Sequence, residues 1–332
     1  MGAVVTAVVG KEDDGIVVGD ILIHLLDALD GIVRVLHIFG CEPTVFVPCV
    51  VGVGEVQEQK VGLLLIDVLN GTGGDDLVDI FVVVAGEEVA RVKLAGGGYA
   101  EYVSVKYDML MPVPKNCSMV EAAAIPEAFA TAYLNLFIEG KIKEGNTLLM
   151  NAGASGLASV IIPMAKAFGV RVITTVLTDE IAANIKHLNA DRVVVTTKEN
   201  IADVLKEELE KGHSVDVAID CLGGEIMGKC IHYLTHGARW IMIAALAGTK
   251  TEIDLKNIYV RNVRIVGSTL RSRTPAVKAE ILAGIVRDVY PKIEAGLVKP
   301  TIHAVLPIQK AEEAHDILYQ GKNVGKVVLT VG

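Results

Sequence analysis

The chain has few aromatic residues, few cysteines and no excess of basic charge, and each shortage excludes a class of protein. Phe, Trp and Tyr make up only 5% of the 332 residues, so any core must be mainly aliphatic. Asp and Glu outnumber Lys and Arg by 40 to 31, and this net charge of −9 disfavours a nucleic-acid partner. The cysteines are odd in number and scattered, which is typical of a reducing compartment; they are Cys41, Cys49, Cys117, Cys221 and Cys230.

Long apolar segments are also missing. No uninterrupted apolar run reaches the roughly 18 residues of a membrane-spanning helix, and the start of the chain lacks the basic region of a signal peptide. We therefore expect a cytoplasmic protein without a membrane partner.

The chain is long and rich in aliphatic residues. A length of 332 residues exceeds one comfortable core, so we expect two domains. The hydrophobic fraction of 52%, with a mean hydropathy of +0.47, is typical of parallel sheets that are buried on both faces.

The middle of the chain alternates between two kinds of segment. Apolar runs predict strands at residues 147–150, 170–176, 192–196, 215–220 and 238–244. Helical periodicity lies between them, at residues 158–168, 180–188, 201–211 and 226–234. Strict alternation of strand and helix predicts crossover units on a parallel sheet, and therefore an α/β fold of the Rossmann, doubly wound type.

The first strand runs into NAGASGLASV at residues 151–160, a stretch with little side-chain bulk. Gly153, Ala154, Ser155 and Gly156 form the predicted turn, and Leu157 opens the next helix. Such a stretch is either a loop whose N–H groups bind the pyrophosphate of a dinucleotide or a helix start packed closely on a sheet. The GxGxxG pattern is incomplete, but the alternating strands and helices around it favour the cofactor loop.

The choice of nucleotide depends on the end of the second strand. NAD-binding proteins usually carry an acidic residue there, whereas this chain has Thr174, Thr175 and Val176. Asp179 and Glu180 follow, and they either repel a 2′-phosphate or stabilise the first turn of the next helix. Both interpretations remain open.

Several separated stretches carry a family resemblance. They are LAGGGYAEYVSV (94–105), LMPVPKNCSMVEAAAIPEAFATAYLNLF (110–137), AGASG (152–156), DCLGG (220–224), STLRSR (268–273) and KNVGKVVLTV (322–331). In this order and spacing they resemble the zinc-independent quinone oxidoreductases of the medium-chain dehydrogenase/reductase superfamily. Within that group the chain is most similar to the p53-inducible quinone oxidoreductase type.

The resemblance implies a two-domain oxidoreductase that transfers reducing equivalents from a nicotinamide cofactor to a quinone without zinc. Residues 1–120 and 265–332 would form a GroES-like β-barrel catalytic domain, and residues 121–264 a Rossmann NADP-binding domain. The implied cofactor is NADPH, with NADH not excluded. A homodimer formed through the cofactor domain is expected, with a small quinone as substrate.

The resemblance also implies cofactor-binding roles for individual residues. They are Thr131 near the nicotinamide, Gly153, Ala154, Ser155, Gly156 and Leu157 at the pyrophosphate, Thr175 at the second strand, Cys221, Ala244 and Ala245 on the nicotinamide side, Leu270, Arg271 and Ser272 at the cleft, and Asn323 in the tail. Three of these residues have a simpler alternative: a helix cap for Thr131, an inert buried thiol for Cys221 and an ion pair for Arg271. No catalytic acid is identified, and a quinone does not require one.

The first ninety residues depart from the family. They lack its proline-rich entry and its substrate-pocket tyrosines, since no Tyr precedes Tyr99. Two alternatives therefore stay open: an NADPH-dependent alkenal or enone reductase, and a nucleotide-binding protein with little catalysis.

Other chemistries fit the sequence less well. Cys41 and Cys49 near His37 suggest metal ligands, but their neighbours are apolar and no zinc spacing is present, so we expect no metal. The loop has neither the GxSxG of a serine hydrolase nor the GK[ST] of a P-loop.

Overall fold

A computed structural model describes residues 61–67, 79–85, 89–91, 109–321 and 323–331. The predicted early barrel strands and the group formed by His37, Cys41 and Cys49 lie outside the described residues. Within those residues, every helix is too short or too polar to cross a bilayer.

The strands, in chain order, are β1 (Val61–Asp67), β2 (Asp79–Ala85), β3 (Val89–Arg91), β4 (Leu110–Pro112), β5 (Thr147–Met150), β6 (Arg171–Val176), β7 (Arg192–Val195), β8 (Val215–Asp220), β9 (Leu234–Met242), β10 (Arg264–Gly267), β11 (Ile302–Pro307) and β12 (Lys326–Val331). The α-helices are α1 (Met119–Ala123), α2 (Pro126–Tyr133), α3 (Ala158–Ala167), α4 (Asp179–Asn184), α5 (Ile201–Glu210), α6 (Ile226–Cys230), α7 (Leu255–Tyr259), α8 (Pro275–Gly284), α9 (Tyr290–Glu294) and α10 (Ala311–Tyr319). Two π-helical segments, Leu134–Glu139 and Ile285–Val289, continue α2 and α8.

The largest sheet has six parallel strands in the order β10-β9-β8-β5-β6-β7. Counted from β5, this is the order 6-5-4-1-2-3 of a doubly wound dinucleotide-binding sheet. The predicted fold class is therefore confirmed. The order reverses between β5 and β8, so the loops after these two strands border the switch point, where such sheets bind ligands.

The sheet is buried on both faces because alternate residues of each strand point in opposite directions. Two separate hydrophobic clusters contain the buried side chains of the sheet. Leu148 packs in the first cluster and its neighbour Leu149 in the second, and both side chains are fully buried. Trp240 of β9 belongs to the same cluster as Leu149, together with Ala218 of β8. Each fully buried aliphatic side chain contributes roughly 1.5–3 kcal/mol, so the short β5 is a stable base for the loop that follows it.

The helix and strand boundaries mostly follow the prediction, with one clear difference. The predicted helix at 226–234 ends at Cys230, and a short 3₁₀ turn leads into β9 at Leu234. Gly237, which follows the predicted helix at 226–234 and precedes the predicted strand at 238–244, lies within β9 with φ +79°. The pairing of β9 with β8 is irregular at this point, and glycine is typical of such a bulge.

The sixth strand, β10, was not predicted from the sequence. Only Ile265 and Val266 of its four residues are apolar, so it lacks the longer apolar run that marked the other strands. The parallel sheet therefore continues to Gly267, beyond residue 264, where the predicted cofactor domain ends.

A second sheet joins the two ends of the described chain. β12 pairs in parallel with β11 and antiparallel with β1, and β2 completes the order β11-β12-β1-β2. This pairing of early and late strands is what a domain built from both chain ends requires. The division into two domains remains a prediction.

Candidate cofactor site

The loop between β5 and α3 is the first part of the site. Ala152 has φ +56°, a conformation that non-glycine residues seldom adopt. The Gly153 N–H donates to the Thr175 carbonyl over 2.7 Å, and a Cβ on Gly153 would lie 2.4 Å from Thr174 Oγ1. Close packing on β6 is therefore a sufficient reason for Gly153.

Packing does not account for Gly156. A Cβ there would have no neighbour closer than Gly325 O at 3.6 Å, an ordinary contact distance. Within the described residues, the N–H groups of Ala154, Gly156 and Leu157 donate to no acceptor. They lie at the N-terminus of α3, where the helix dipole favours negative charge. Free N–H groups beside open space match the needs of a pyrophosphate.

Thr175, near the carboxyl end of β6, makes two hydrogen bonds with the loop. It is almost fully buried, its Oγ1 accepts from the Ala152 N–H over 3.1 Å, and its hydroxyl donates to Asn151 Oδ1 over 3.3 Å. The side chain thus holds the loop backbone in place.

The start of α4 decides the local role of the two acidic residues. Thr178 caps the helix, and Asp179 and Glu180 lie in its first turn. Asp179 also forms an ion pair with Lys198, which follows β7. Both carboxylates therefore lie where the helix-start interpretation requires. The sequence did not indicate Lys198 as the partner of Asp179, because Lys198 lies in the next crossover unit of the sheet.

A buried carboxylate connects the loops at the switch point. Asp220 ends β8 with no solvent exposure; its Oδ1 accepts from Asn151 Nδ2 (3.1 Å), Leu222 N (2.9 Å) and Gly223 N (3.2 Å). Its Oδ2 accepts from Trp240 Nε1 over 3.1 Å. Because a buried charge is tolerated only when its lone pairs are occupied, these four bonds fix the two loops relative to each other.

Cys221 lies beside this carboxylate and is 6% exposed. Burial, followed by the charge of Asp220, raises the pKa of the Cys221 thiol to about 11. The residue is therefore a neutral thiol near pH 7, in agreement with its simpler interpretation.

The loop after β8 contacts the loop after β9. Leu246 N donates to Cys221 O over 3.1 Å, and Ala247 N donates to Leu222 O over 2.7 Å. These bonds hold the loop that carries Cys221 beside the loop that carries Ala244 and Ala245.

A cavity of about 530 Å³ opens at the carboxyl ends of β9 and β10. Its lining consists of Met242, Ile243, Ala244, Ala245, Gly267, Ser268, Thr269, Ser272 and Arg273. Three predicted residues, Ala244, Ala245 and Ser272, are among them. Leu270 is buried and Arg271 is exposed, and neither lines the cavity. Ser268, Thr269 and Arg273 were missed as individual residues, although they lie in STLRSR, one of the stretches that carry the resemblance.

Thr131 lies with Glu127 and Lys326, away from the residues that line the cavity. It is inside α2, so it does not cap the helix, and its hydroxyl donates to Glu127 Oε1 over 3.0 Å. Lys326 Nζ donates to Glu127 Oε2 over 2.8 Å, and this ion pair is almost fully buried. Lys326 Cδ would be 3.8 Å from a Cβ on Gly156, so the pair lies close to the loop.

Asn323 belongs to the tail segment beside the loop. Its Nδ2 donates to Gly325 O over 3.1 Å, the same carbonyl that faces Gly156. The structure thus places most of the predicted site residues at the loop or beside the cavity, whereas Thr131, Leu270 and Arg271 lie in neither group. Within the described residues, no group of three or more His, Cys, Asp or Glu side chains is arranged to hold a metal.

Comparisons with known proteins extend this description. Residues 156–284 match the domain family described as zinc-binding dehydrogenase. Quinone oxidoreductase of Sus scrofa is 29% identical over 247 residues, which are 74% of this chain and 72% of that protein.

Two solved structures are similar over most of the chain. One is the quinone oxidoreductase of Thermus thermophilus, solved also with NADPH, at 26% identity and TM-score 0.64, covering 84% of this chain and 94% of that one. The other is a 2-octenoyl-CoA carboxylase reductase with NADP and 2-octenoyl-CoA, at 25% identity and TM-score 0.59, covering 70% and 54%. In sheet order, loop and relatives, the chain is similar to oxidoreductases of the medium-chain dehydrogenase/reductase superfamily.

Proposed function

We propose that this protein is an NADPH-dependent quinone oxidoreductase that works without zinc. One observation carries the proposal: three free N–H groups, of Ala154, Gly156 and Leu157, lie at the switch point of a doubly wound sheet. The quinone oxidoreductases of Sus scrofa and Thermus thermophilus, the second solved with NADPH, support the choice of substrate and cofactor.

In this proposal the dinucleotide lies across the carboxyl edge of the sheet. The loop group binds the pyrophosphate, and the cavity beside Ala244, Ala245 and Ser272 takes the nicotinamide half. NADPH, when bound, supplies the reducing equivalents. The chain's own residues orient the reactants against an apolar cavity wall formed by Met242 and Ile243.

No His, Cys, Asp or Glu is among the described residues that line the cavity. A quinone accepts electrons readily, so protonation by water is sufficient. Zinc independence is proposed because the sequence lacks the Cys and His spacing of a zinc site.

The preference for NADPH rests on charge. No carboxylate ends β6, and Asp179, the nearest acidic residue after it, is paired with Lys198. This pairing lowers the repulsion that a 2′-phosphate would meet there.

An alkenal or enone reductase is the second candidate. It is favoured by the similarity to the 2-octenoyl-CoA carboxylase reductase, which was solved with NADP and an enoyl-CoA. The same cavity and loop would serve it, since only the acceptor differs.

We also propose a homodimer. β10 is an edge strand of the six-stranded sheet, with a paired neighbour on one side only within the described residues. Large apolar side chains are exposed on this strand, at Ile265, and in the chain that precedes it, at Leu255, Tyr259 and Val260. An unpaired edge next to an apolar patch is a common surface for association of two copies.

Oxidation of NADPH and of NADH by the purified full chain tests the function. The acceptors are 1,2-naphthoquinone, 1,4-benzoquinone and an alkenal, each with and without a chelator. We expect fastest turnover with NADPH and a quinone, unchanged by the chelator. Turnover with the alkenal alone would favour the enone reductase, whereas tight nucleotide binding without turnover would indicate a binding protein.

A further inference from the structure

Glu127 and Lys326 form an ion pair that lies inside the protein, beside the loop after β5. Lys326 is 2% exposed and Glu127 is 8% exposed. The Nζ of Lys326 donates to Glu127 Oε2 over 2.8 Å. Charged side chains are buried this deeply almost only when they are paired. The pair joins two segments that are 199 residues apart, and the sequence had assigned a role to neither residue.

The free energy of folding does not by itself explain a pair of this kind. Removal of two charges from water costs about as much as their attraction returns, so two apolar side chains of similar volume would join the same elements equally well. An ion pair differs from an apolar contact because its geometry selects one arrangement of the two partners. The place of the pair in the site therefore indicates what that arrangement is for.

The lysine end of the pair lies against the dinucleotide loop. A Cβ on Gly156 would be 3.8 Å from Lys326 Cδ and 3.6 Å from Gly325 O. The lysine stem and the carbonyl before it thus border the loop at Gly156, whose N–H donates to no acceptor among the described residues. A shift of Lys326 would therefore move the surface against which this part of the loop lies.

The backbone beside Lys326 is held by other contacts. The Lys326 N–H donates to Thr301 O over 2.8 Å. Gly325 has φ +88°, and a Cβ there would overlap the same carbonyl. Asn323 Nδ2 donates to Gly325 O over 3.1 Å. The tail segment, residues 323–326, is thus attached next to the start of β11, and the Lys326 side chain carries its connection to α2.

The glutamate end of the pair belongs to α2. Glu127 lies in the first turn of this helix, where the helix dipole favours a carboxylate. Its Oε1 accepts from the Thr131 hydroxyl over 3.0 Å, one turn further along the helix. Thr131 therefore orients one carboxylate oxygen, and the other oxygen faces Lys326. Through this pair Thr131, which lies apart from the cavity, is connected to the dinucleotide loop.

We propose that Glu127 and Lys326 are positioning residues for the dinucleotide. Their ion pair fixes the tail segment against the loop at residues 153–157 and so keeps the pyrophosphate-binding N–H groups in place. This inference rests on the proposed function. It assigns the Lys326 ammonium to Glu127 and not to the phosphates, so the loss of either partner should change NADPH affinity in the same direction.

Calorimetric titration of the full chain tests the inference with three probes. They are NADPH, 2′-phospho-ADP-ribose, which keeps the pyrophosphate, and adenosine 2′-monophosphate, which lacks it. The variants are Glu127→Gln, Lys326→Met and the double variant. A single variant leaves one buried charge without its partner and destabilises the fold, whereas the double variant removes both charges and keeps the test decisive.

Lys166→Met is the matched control. The ion pair of Lys166 with Asp191 has the same length of 2.8 Å, but both side chains are 26% exposed. Lys166 lies in the last turn of α3, at the opposite end of that helix from the loop. This variant should leave the binding of all three probes within about twofold of wild type.

We expect each single variant to weaken the binding of NADPH and of 2′-phospho-ADP-ribose roughly three- to thirtyfold. The double variant should lose about as much as either single variant, because all three remove the same pair. Adenosine 2′-monophosphate should bind within about twofold of wild type. In quinone turnover the KM for NADPH should rise by the same factor, with kcat within about twofold.

Three outcomes would overturn the inference while the proposed function stands. Weaker NADPH binding in Lys326→Met with tighter binding in Glu127→Gln would show that the ammonium binds the phosphates directly. Unchanged NADPH binding in the folded double variant would show that the pair serves the fold alone. Equal weakening of all three probes would place the effect outside the pyrophosphate loop. Wild type that binds none of the probes would refute the proposed function itself, and this inference with it.

Discussion

Asp220 shows how one residue organises a site without touching a ligand. Its carboxylate accepts four hydrogen bonds from the loop after β5, the loop after β8 and the indole of β9. Neutralising the side chain removes one acceptor and adds a donor. That donor would face either Asn151 Nδ2 or Trp240 Nε1, which are donors themselves.

We expect Asp220→Asn to lower the free energy of unfolding by about 2–4 kcal/mol. Urea denaturation measures this. Asp216→Asn is the matched control on the same strand, since Asp216 accepts one bond, from Thr147 N over 2.8 Å, and should cost about 1 kcal/mol. Equal losses for the two variants would show that the four-bond network has no special role.

The two loop glycines should respond differently to a methyl group. Gly156→Ala meets no close protein atom, so the free energy of unfolding should change by less than about 1 kcal/mol, while NADPH affinity falls roughly tenfold or more. Gly153→Ala forces a Cβ against Thr174 and should cost about 1–3 kcal/mol of stability. Thermal unfolding and calorimetry separate the two effects. A destabilised Gly156→Ala would mean that packing, not a ligand, requires this glycine.

At the scale of elements, short helices depend on their ends. α1 has five residues and begins with a capping box, in which Ser118 Oγ accepts from Glu121 N and Glu121 Oε2 accepts from Ser118 N over 2.8 Å. The hydrogen bond from the Ser118 N–H, together with that from its hydroxyl, lowers the pKa of Glu121 below its usual range. The charged form of Glu121 is therefore favoured by folding.

This lowered pKa makes the stability of the helix start depend on pH. Its contribution is complete above the unfolded-state pKa of Glu121 and is lost as the pH falls through the lower folded-state pKa. Wild type should exceed Glu121→Gln in unfolding free energy near pH 7, and the difference should vanish in the acid range. Denaturation at a series of pH values measures it, with Glu210→Gln as a control for losing one surface charge. A difference that does not depend on pH would contradict the assignment.

At the scale of the whole molecule, β10 is both the last strand of the sheet and the proposed meeting point of two copies. A lysine on an edge strand opposes strand pairing between copies because it brings charge to an apolar edge. Ile265 is 45% exposed on this strand.

We expect wild type to elute as a dimer of the 35.2 kDa chain and Ile265→Lys to shift towards monomer. Size-exclusion chromatography with light scattering measures the masses. Leu209→Lys, at an exposed leucine of α5, should leave the dimer intact. Monomeric wild type, or equal dissociation of both variants, would refute the proposed interface.

The sequence by itself determined the alternation of strands and helices and the loop at residues 151–157. These features follow from local periodicity and from small residues placed directly after an apolar run. The same reasoning missed β10, because an exposed edge strand carries no continuous apolar signal.

Only the tertiary structure decided which distant residues meet. The Asn151 and Asp220 pair spans 69 residues, and the Lys326 and Glu127 pair spans 199. Such contacts depend on strand order and on the pairing of the chain ends, which no local pattern encodes. For the same reason the cavity at the carboxyl ends of β9 and β10 became visible only once these two strands were placed side by side.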